Sequence, residues 1–217
     1  MKKVLILGGK GNGTTIANAM VDANRRGYNE FKFYGYLNDG EEKGSFIEEY
    51  PVLDSLENIK KYFDEYYFIN TILRIDGNIE RINKIESLGI PNNRLVTFVH
   101  PTAYIAPNVK LYPGVVIMPN VSISSNTVIG KNSIVMVGAT IGHDNEIGDY
   151  FHAAAQACVG AYLKVGKGVH IGLNSSIREH LTIGNNATIG MGTVLTKNVG
   201  ENEIWIGNPC RFLRYSE

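Results

Sequence analysis

From residue 105 to residue 195 an apolar side chain recurs at every sixth position: Ile105, Leu111, Ile117, Ile123, Ile129, Val135, Ile141, Ile147, Ala153, Val159, Val165, Ile171, Ile177, Ile183, Ile189 and Leu195. No insertion breaks the frame over these sixteen positions, and Ala153 alone is not Ile, Leu or Val. An amphipathic helix repeats near 3.6 residues and a half-buried strand at two, so neither explains a period of six. That period belongs to a hexapeptide-repeat parallel β-helix, where each hexad supplies one short strand and one corner. Three hexads close a triangular coil, and residues eighteen apart then stack at the inter-strand spacing of roughly 4.8 Å. The run makes about five coils, a prism roughly 25 Å tall. Small residues four places after the aliphatic, among them Ser133, Ala139, Ala157, Ser175, Ala187 and Thr193, suit a narrow interior. A β-sandwich rich in Val and Ile would not hold such a frame without a slip.

Ahead of the hexads the pattern alternates. Residues 3–7 read as a strand that ends in Gly8-Gly9-Lys10-Gly11-Asn12-Gly13, and 14–23 read as a helix. A strand, a glycine-rich turn and a helix start suit phosphate binding, with Gly9, Gly11 and Gly13 letting the backbone approach the ligand. Thr14 stands where a dinucleotide fingerprint wants a third glycine and a Walker loop wants lysine, so a plain strand-to-helix connection remains open. A second strand at 31–37 closes on Asn38-Asp39-Gly40, at the carboxyl end where such sheets bind ligands. Asp39 there either bonds a base or ribose or simply forms a turn. Helices at 56–63 and 79–88 and strands at 66–71 and 95–99 complete a small parallel α/β sheet. His100-Pro101 marks the change of pattern, because proline ends helices and extends its predecessor. After Leu195 the repeat decays, and the apolar stretch 204–209 is expected to cap the open end of the prism.

Charge narrows the function classes. The 21 Lys and Arg balance the 21 Asp and Glu, so the electrostatic footprint of a nucleic-acid binder is missing. The N-terminal apolar run, Val4 to Leu7, is too short for a signal-peptide core or a membrane span. Two cysteines, Cys158 and Cys210, make neither a disulfide framework nor a metal knuckle. A soluble cytoplasmic protein is expected.

Within the repeat, His143, His152 and His170 stand out among the five histidines by their spacings of nine and eighteen. His143 sits near a corner with Asp144 beside it, the minimum kit of a general base: the acid fixes the tautomer and stabilises the imidazolium. Acyl transfer to an amine or hydroxyl is the nearest chemistry. His152 and His170 are eighteen apart, so they stack side by side. That arrangement disfavours zinc, whose ligands converge on one point, and no metal is expected. Cys158 has no basic neighbour to activate it as an acyl carrier.

With the α/β portion, the His100-Pro101 junction, the hexads and the stretch Gly142-His143-Asp144-Asn145-Glu146-Ile147-Gly148-Asp149-Tyr150-Phe151-His152 together, the chain resembles the PglD/NeuD family of sugar acetyltransferases over nearly its whole length. The resemblance implies a Rossmann-like nucleotide-sugar-binding domain over 1–100 and a left-handed parallel β-helix with a C-terminal cap over 101–217. It implies a homotrimer with active sites between neighbouring prisms, acetyl-CoA as co-substrate and a nucleotide-activated 4-amino-4,6-dideoxy sugar as acceptor, whose C4 amine attacks acetyl-CoA directly. His143 would be the base and Asp144 its acid. His152 would contact the thioester and the Ala161 N–H would polarise its carbonyl, with Gly160 and His170 completing the cofactor-binding set. Gly9, Gly11, Gly13, Asn38 and Asp39 would hold the nucleotide. The chain departs from the family pattern at Met136, where an acceptor-touching Asn is usual, at Gln156, usually Gly, and at Asn38, usually acidic. A sugar O-acetyltransferase and a non-catalytic trimeric nucleotide-binding scaffold are the alternatives.

Overall fold

The hexads build what their spacing dictates. The computed structural model describes residues 1–216; Glu217, the last residue of the second expected domain, lies outside the described residues. Each hexad from Tyr104–Ile105 to Val194–Leu195 forms a two-residue strand whose second residue is the aliphatic. Strands eighteen residues apart pair in parallel, giving three flat faces. The first face stacks Ile134, His152, His170 and Thr188. The second carries Thr140, Cys158 and Ser176, and the third Val128, Glu146 and Lys164. Ile117, Ile123, Ile129 and Val135 are wholly enclosed, each worth roughly 1.5–3 kcal/mol against exposure. Ser133, Ala139, Ala157, Ser175, Ala187 and Thr193 are all buried, as a narrow interior requires.

The corners impose their own period. Every sixth residue from Gly114 to Gly192 has φ between 54° and 82°. Ten of these fourteen are Gly, Asn or Asp, the residues that tolerate left-handed backbone best. The exceptions are Tyr150, Gln156, Tyr162 and His180. Coils also approach closely at the corners: a Cβ on Gly142 would lie 2.6 Å from the carbonyl oxygen of Gly160.

The N-terminal portion is an α/β sheet. β1 (Lys2–Leu7) leads through the glycine turn into α1 (Asn12–Arg25), then β2 (Phe31–Leu37), β3 (Phe46–Ile47), β4 (Tyr50–Asp54), a 3-10 helix (Leu56–Tyr62), β5 (Tyr67–Asn70) and α2 (Ile79–Ser87). The strand order is β3-β4-β2-β1-β5, parallel except for the β3–β4 hairpin. β1 lies between β2 and β5, and its Val4, Leu5, Ile6 and Leu7 are wholly buried, the continuous apolar run of a strand covered on both faces.

Three local expectations change. The helix expected at 56–63 is 3-10, and the β3–β4 hairpin was not foreseen. The strand expected at 95–99 is divided: Leu95 bridges to Phe68 at the sheet's edge, while Phe98–Val99 pairs with Val116–Ile117 in the coil. Val99 lies six residues before Ile105, so the hexad frame starts one step earlier. At the other end the frame shortens by two, with Ile189 opposite Trp205. Glu203–Ile206 then extends the first face and pairs antiparallel with Arg211–Tyr215.

The sheet packs on the first face, and one apolar core runs from Val4 and Ile6 through Phe98 into Val116 and Ile134. Polar contacts reinforce the docking. Thr188 Oγ1 donates to the Ile75 carbonyl at 2.7 Å. Lys167 pairs with Glu86 at 2.7 Å, and Arg214 with Asp76. His100, 1% exposed, meets Asp22 of α1 through Nε2 at 3.2 Å. Among the described residues no helix is long and apolar enough to cross a membrane.

Candidate active site on a corner of the coil

The corner between the second and third faces carries Gly142, His143, Asp144 and Asn145. Asn145, fully buried, ties this corner to the next coil. Its Nδ2 donates to the carbonyls of Gly142 and Gly160, and its Oδ1 accepts from Leu163 N at 2.8 Å. On that rigid base Asp144 takes left-handed backbone, φ 55°. Its Oδ2 lies 2.7 Å from His143 Nδ1. Asn126, one coil earlier, donates Nδ2–H to the other carboxylate oxygen at 3.1 Å. The hydrogen bonds from His143 and then Asn126 hold the Asp144 carboxyl below the usual carboxylate range. An ionised carboxylate only accepts, so the neutral imidazole carries its proton on Nδ1 and leaves the Nε2 lone pair free. The pair is half-exposed, 49% for His143 and 34% for Asp144.

One coil later Tyr162 meets the His143 ring edge-on, centroids 5.1 Å apart and planes at 87°. Tyr162 in turn stacks on His180 at 4.7 Å and 3°. The N–H of Ala161 lies over this corner, since a Cβ on Gly142 would sit 2.9 Å from it. No hydrogen bond among the described residues engages that N–H.

His152 and His170 stand apart from the dyad, on the first face. They stack at 4.9 Å and 8°, with Nδ1 atoms 2.9 Å apart, so one donates and the other accepts. Burial pushes His152 down to about 3, helped by the charge His170 would carry, and His170 down to about 4. Both rings are neutral at pH 7. His152 Nε2 is buried without a hydrogen-bond partner. Both rings and Met136 line a partly open cavity of about 490 Å³ between the coil and the N-terminal portion, with Asn12, Ile75, Leu173 and Met191 also on its wall. The structure thus brings Met136 to His152 and His170, and Gly160 and Ala161 to His143, but keeps the two groups on different parts of the prism. A larger open groove of about 670 Å³ on the third face includes none of these residues.

The glycine turn is placed by packing. A Cβ on Gly9 would fall 2.4 Å from Asn38 Nδ2, and Gly13 is buried near Thr71. Gly11 precedes α1 with φ 85° and open space around it. Asn38 Oδ1 accepts from Gly40 N at 2.6 Å, the turn-forming role. Asp39 has both oxygens engaged: Oδ1 accepts from Leu56 N at 2.7 Å at the start of the 3-10 helix, and Oδ2 binds Lys84. Burial opposes its ionisation, yet the Lys84 ammonium and the Leu56 N–H outweigh it and lower the carboxyl. Between ligand contact and structural turn, the geometry gives Asp39 a structural partner on either side. Cys158 is exposed on the second face and Cys210 is buried.

Sequence reasoning passed over Asn126, Asn145, Tyr162 and His180. For Asn126, Tyr162 and His180 the signal was the eighteen-residue column Asn108, Asn126, Asp144, Tyr162, His180.

Residues 97–131 match the family described as bacterial transferase hexapeptide (six repeats), and residues 120–148 and 162–197 match the hexapeptide repeat of succinyl-transferase. No curated protein matches the chain. Among solved structures, the acetyltransferase domain of PglB from Neisseria gonorrhoeae FA1090 is 22% identical with a TM-score of 0.83, covering 98% of this chain and 100% of its own. WeeI from Acinetobacter baumannii AYE is 25% identical with a TM-score of 0.81, covering 98% and 100%. PerB from Caulobacter crescentus, solved with CoA and GDP-perosamine, is 21% identical with a TM-score of 0.80, covering 99% and 98%. The fold that the resemblance to sugar acetyltransferases implies is therefore borne out along the whole chain: a small α/β portion and a left-handed parallel β-helix of hexapeptide repeats.

Proposed function

We propose that this chain is an acetyl-CoA-dependent N-acetyltransferase acting in the cytoplasm on the C4 amine of a nucleotide-linked 4-amino-4,6-dideoxy sugar. The observation that carries the reading is the His143–Asp144 dyad. An exposed imidazole has its Nδ1 proton held by an ionised carboxylate at 2.7 Å and its other nitrogen free. The shared fold of PglB's acetyltransferase domain and of PerB, which was solved with CoA and GDP-perosamine, supports the substrate classes.

In this mechanism the sugar amine attacks the thioester carbonyl carbon while His143 Nε2 takes its proton. Asp144 balances the imidazolium so formed. The Ala161 N–H donates to the thioester oxygen as negative charge develops on it, and a donor of this kind is worth about 10²–10³ in rate. As the carbon–sulfur bond breaks, the imidazolium returns its proton to the departing thiolate and the amide product remains.

The apolar cavity holds the acetyl end beside His152 and His170, and the glycine turn of Gly9, Gly11 and Gly13 holds the nucleotide, with Asn38 and Asp39 shaping the turn's rim. Because the dyad and the cavity lie on different faces of one prism, a neighbouring copy must bring one to the other, which a homotrimer does.

His143→Ala should lower kcat by roughly 10² or more with CoA binding, read by calorimetry, nearly unchanged. A variant with full turnover would remove the mechanism. A sugar O-acetyltransferase would use the same dyad, and mass spectrometry of products from matched amine and hydroxyl acceptors separates the two. A non-catalytic scaffold would show no thermal stabilisation by CoA.

A further inference from the structure

We propose that Asn126 is a positioning residue: the last link of a one-way hydrogen-bond ladder along the corner that fixes which nitrogen of His143 is free. The proposal rests on the reading of His143 as the base.

The eighteen-residue register brings Asn108, Asn126 and Asp144 to the same corner on successive coils. Asn108 Nδ2–H donates to Asn126 Oδ1, and Asn108 Oδ1 accepts from the Asn126 backbone N–H at 3.2 Å. These two bonds settle which way the Asn126 amide points. Its oxygen faces back toward Asn108, so its NH₂ group faces forward and donates to Asp144 Oδ1 at 3.1 Å. With that oxygen committed, the carboxylate turns Oδ2 to His143 Nδ1 at 2.7 Å. Both side-chain amides in the column donate toward Asp144, which only accepts, so the side-chain ladder terminates on the imidazole Nδ1 proton.

From the next coil Tyr162, steadied by His180, closes on the edge of the ring. Both residues occupy left-handed corner positions, φ 56° and 59°, where bulky side chains are disfavoured. The corner thus trades backbone ease for support of one ring, on the side opposite the ladder.

The test uses Asn126→Gly. Asn126 has φ 57°, a conformation glycine adopts without strain, so the coil is kept and only the amide is lost. In the free native protein, ¹⁵N spectra of His143 should show the Nδ1–H tautomer, and in Asn126→Gly a mixture with Nε2–H. Turnover should fall about tenfold, with KM for both substrates changed by less than about twofold. Adding Asn126→Gly to Asp144→Asn should cause no further loss, because the amide acts only through the carboxylate. Asn126→Asp, which keeps the left-handed tolerance but replaces the donor with a second carboxylate, should shift the tautomer in the same direction. An unchanged tautomer in both variants, or losses that add in the double variant, overturns the proposal. The tautomer is read on the free protein, so its outcome stands apart from whether His143→Ala abolishes turnover, which tests the base itself.

Discussion

His143 and His152 are nine residues apart and have opposite surroundings. The first is half-exposed and tied to a carboxylate; the second is enclosed against another imidazole. Burial depresses His152 and His170 to about 3 and about 4, which makes a stability statement. Below the unfolded value near 6.5 the unfolded chain binds protons that the folded chain refuses, so stability is full above that pH and falls as pH drops toward 4. At pH 5 the loss should reach about 2 kcal/mol for each ring. Thermal melts from pH 7.5 to 5 should show it, and His152→Gln with His170→Gln should flatten the curve. Equal slopes in both proteins would mean the rings are not held neutral. The His143–Asp144 pair was legible in the sequence because its two members are adjacent. Asn126 was not, because only the eighteen-residue register makes it a neighbour of Asp144.

At the level of the element, the corner is the unit that decides geometry. Its left-handed position accepts Asn and Gly at little cost, and Asn174, φ 54° and exposed, joins the preceding coil through its backbone N–H to the Ala155 carbonyl at 3.1 Å, a bond that glycine keeps. Asn174→Gly should therefore leave the melting temperature nearly unchanged, whereas Asn174→Ala should cost roughly 1–2 kcal/mol in urea unfolding. If alanine is as well tolerated as glycine, backbone strain does not select these residues. The strands were readable because an aliphatic every six residues has one geometric solution. The 3-10 helix at Leu56–Tyr62 was not, since its apolar spacing matches an α-helix and what distinguishes it is its start, held by the distant Asp39. Likewise the sequence from 95 to 99 looks like one strand, yet Leu95 and Phe98 find partners in different sheets.

For the whole molecule, the proposed sharing of the site between copies is tested by complementation. A mixture of His143→Ala and His152→Ala chains, co-assembled from denaturant, should regain activity in roughly a quarter of its sites if each site draws the dyad from one copy and the cavity from the next. A mixture as inactive as its parents would place the whole site within one chain. By itself the sequence determined the prism, its register, its narrow interior and the His143–Asp144 pair, because each follows from a period or from adjacency. Tertiary structure alone decided that the α/β portion covers the first face, through Ile75 on Thr188 and Asp22 on His100. That docking buries His152 and His170 and forms the cavity at Met136, while the packing of the α/β portion on itself commits Asp39 to Leu56 and Lys84. These outcomes depend on surfaces far apart in the chain coming together, and no local pattern of residues encodes where one folded surface comes to rest on another.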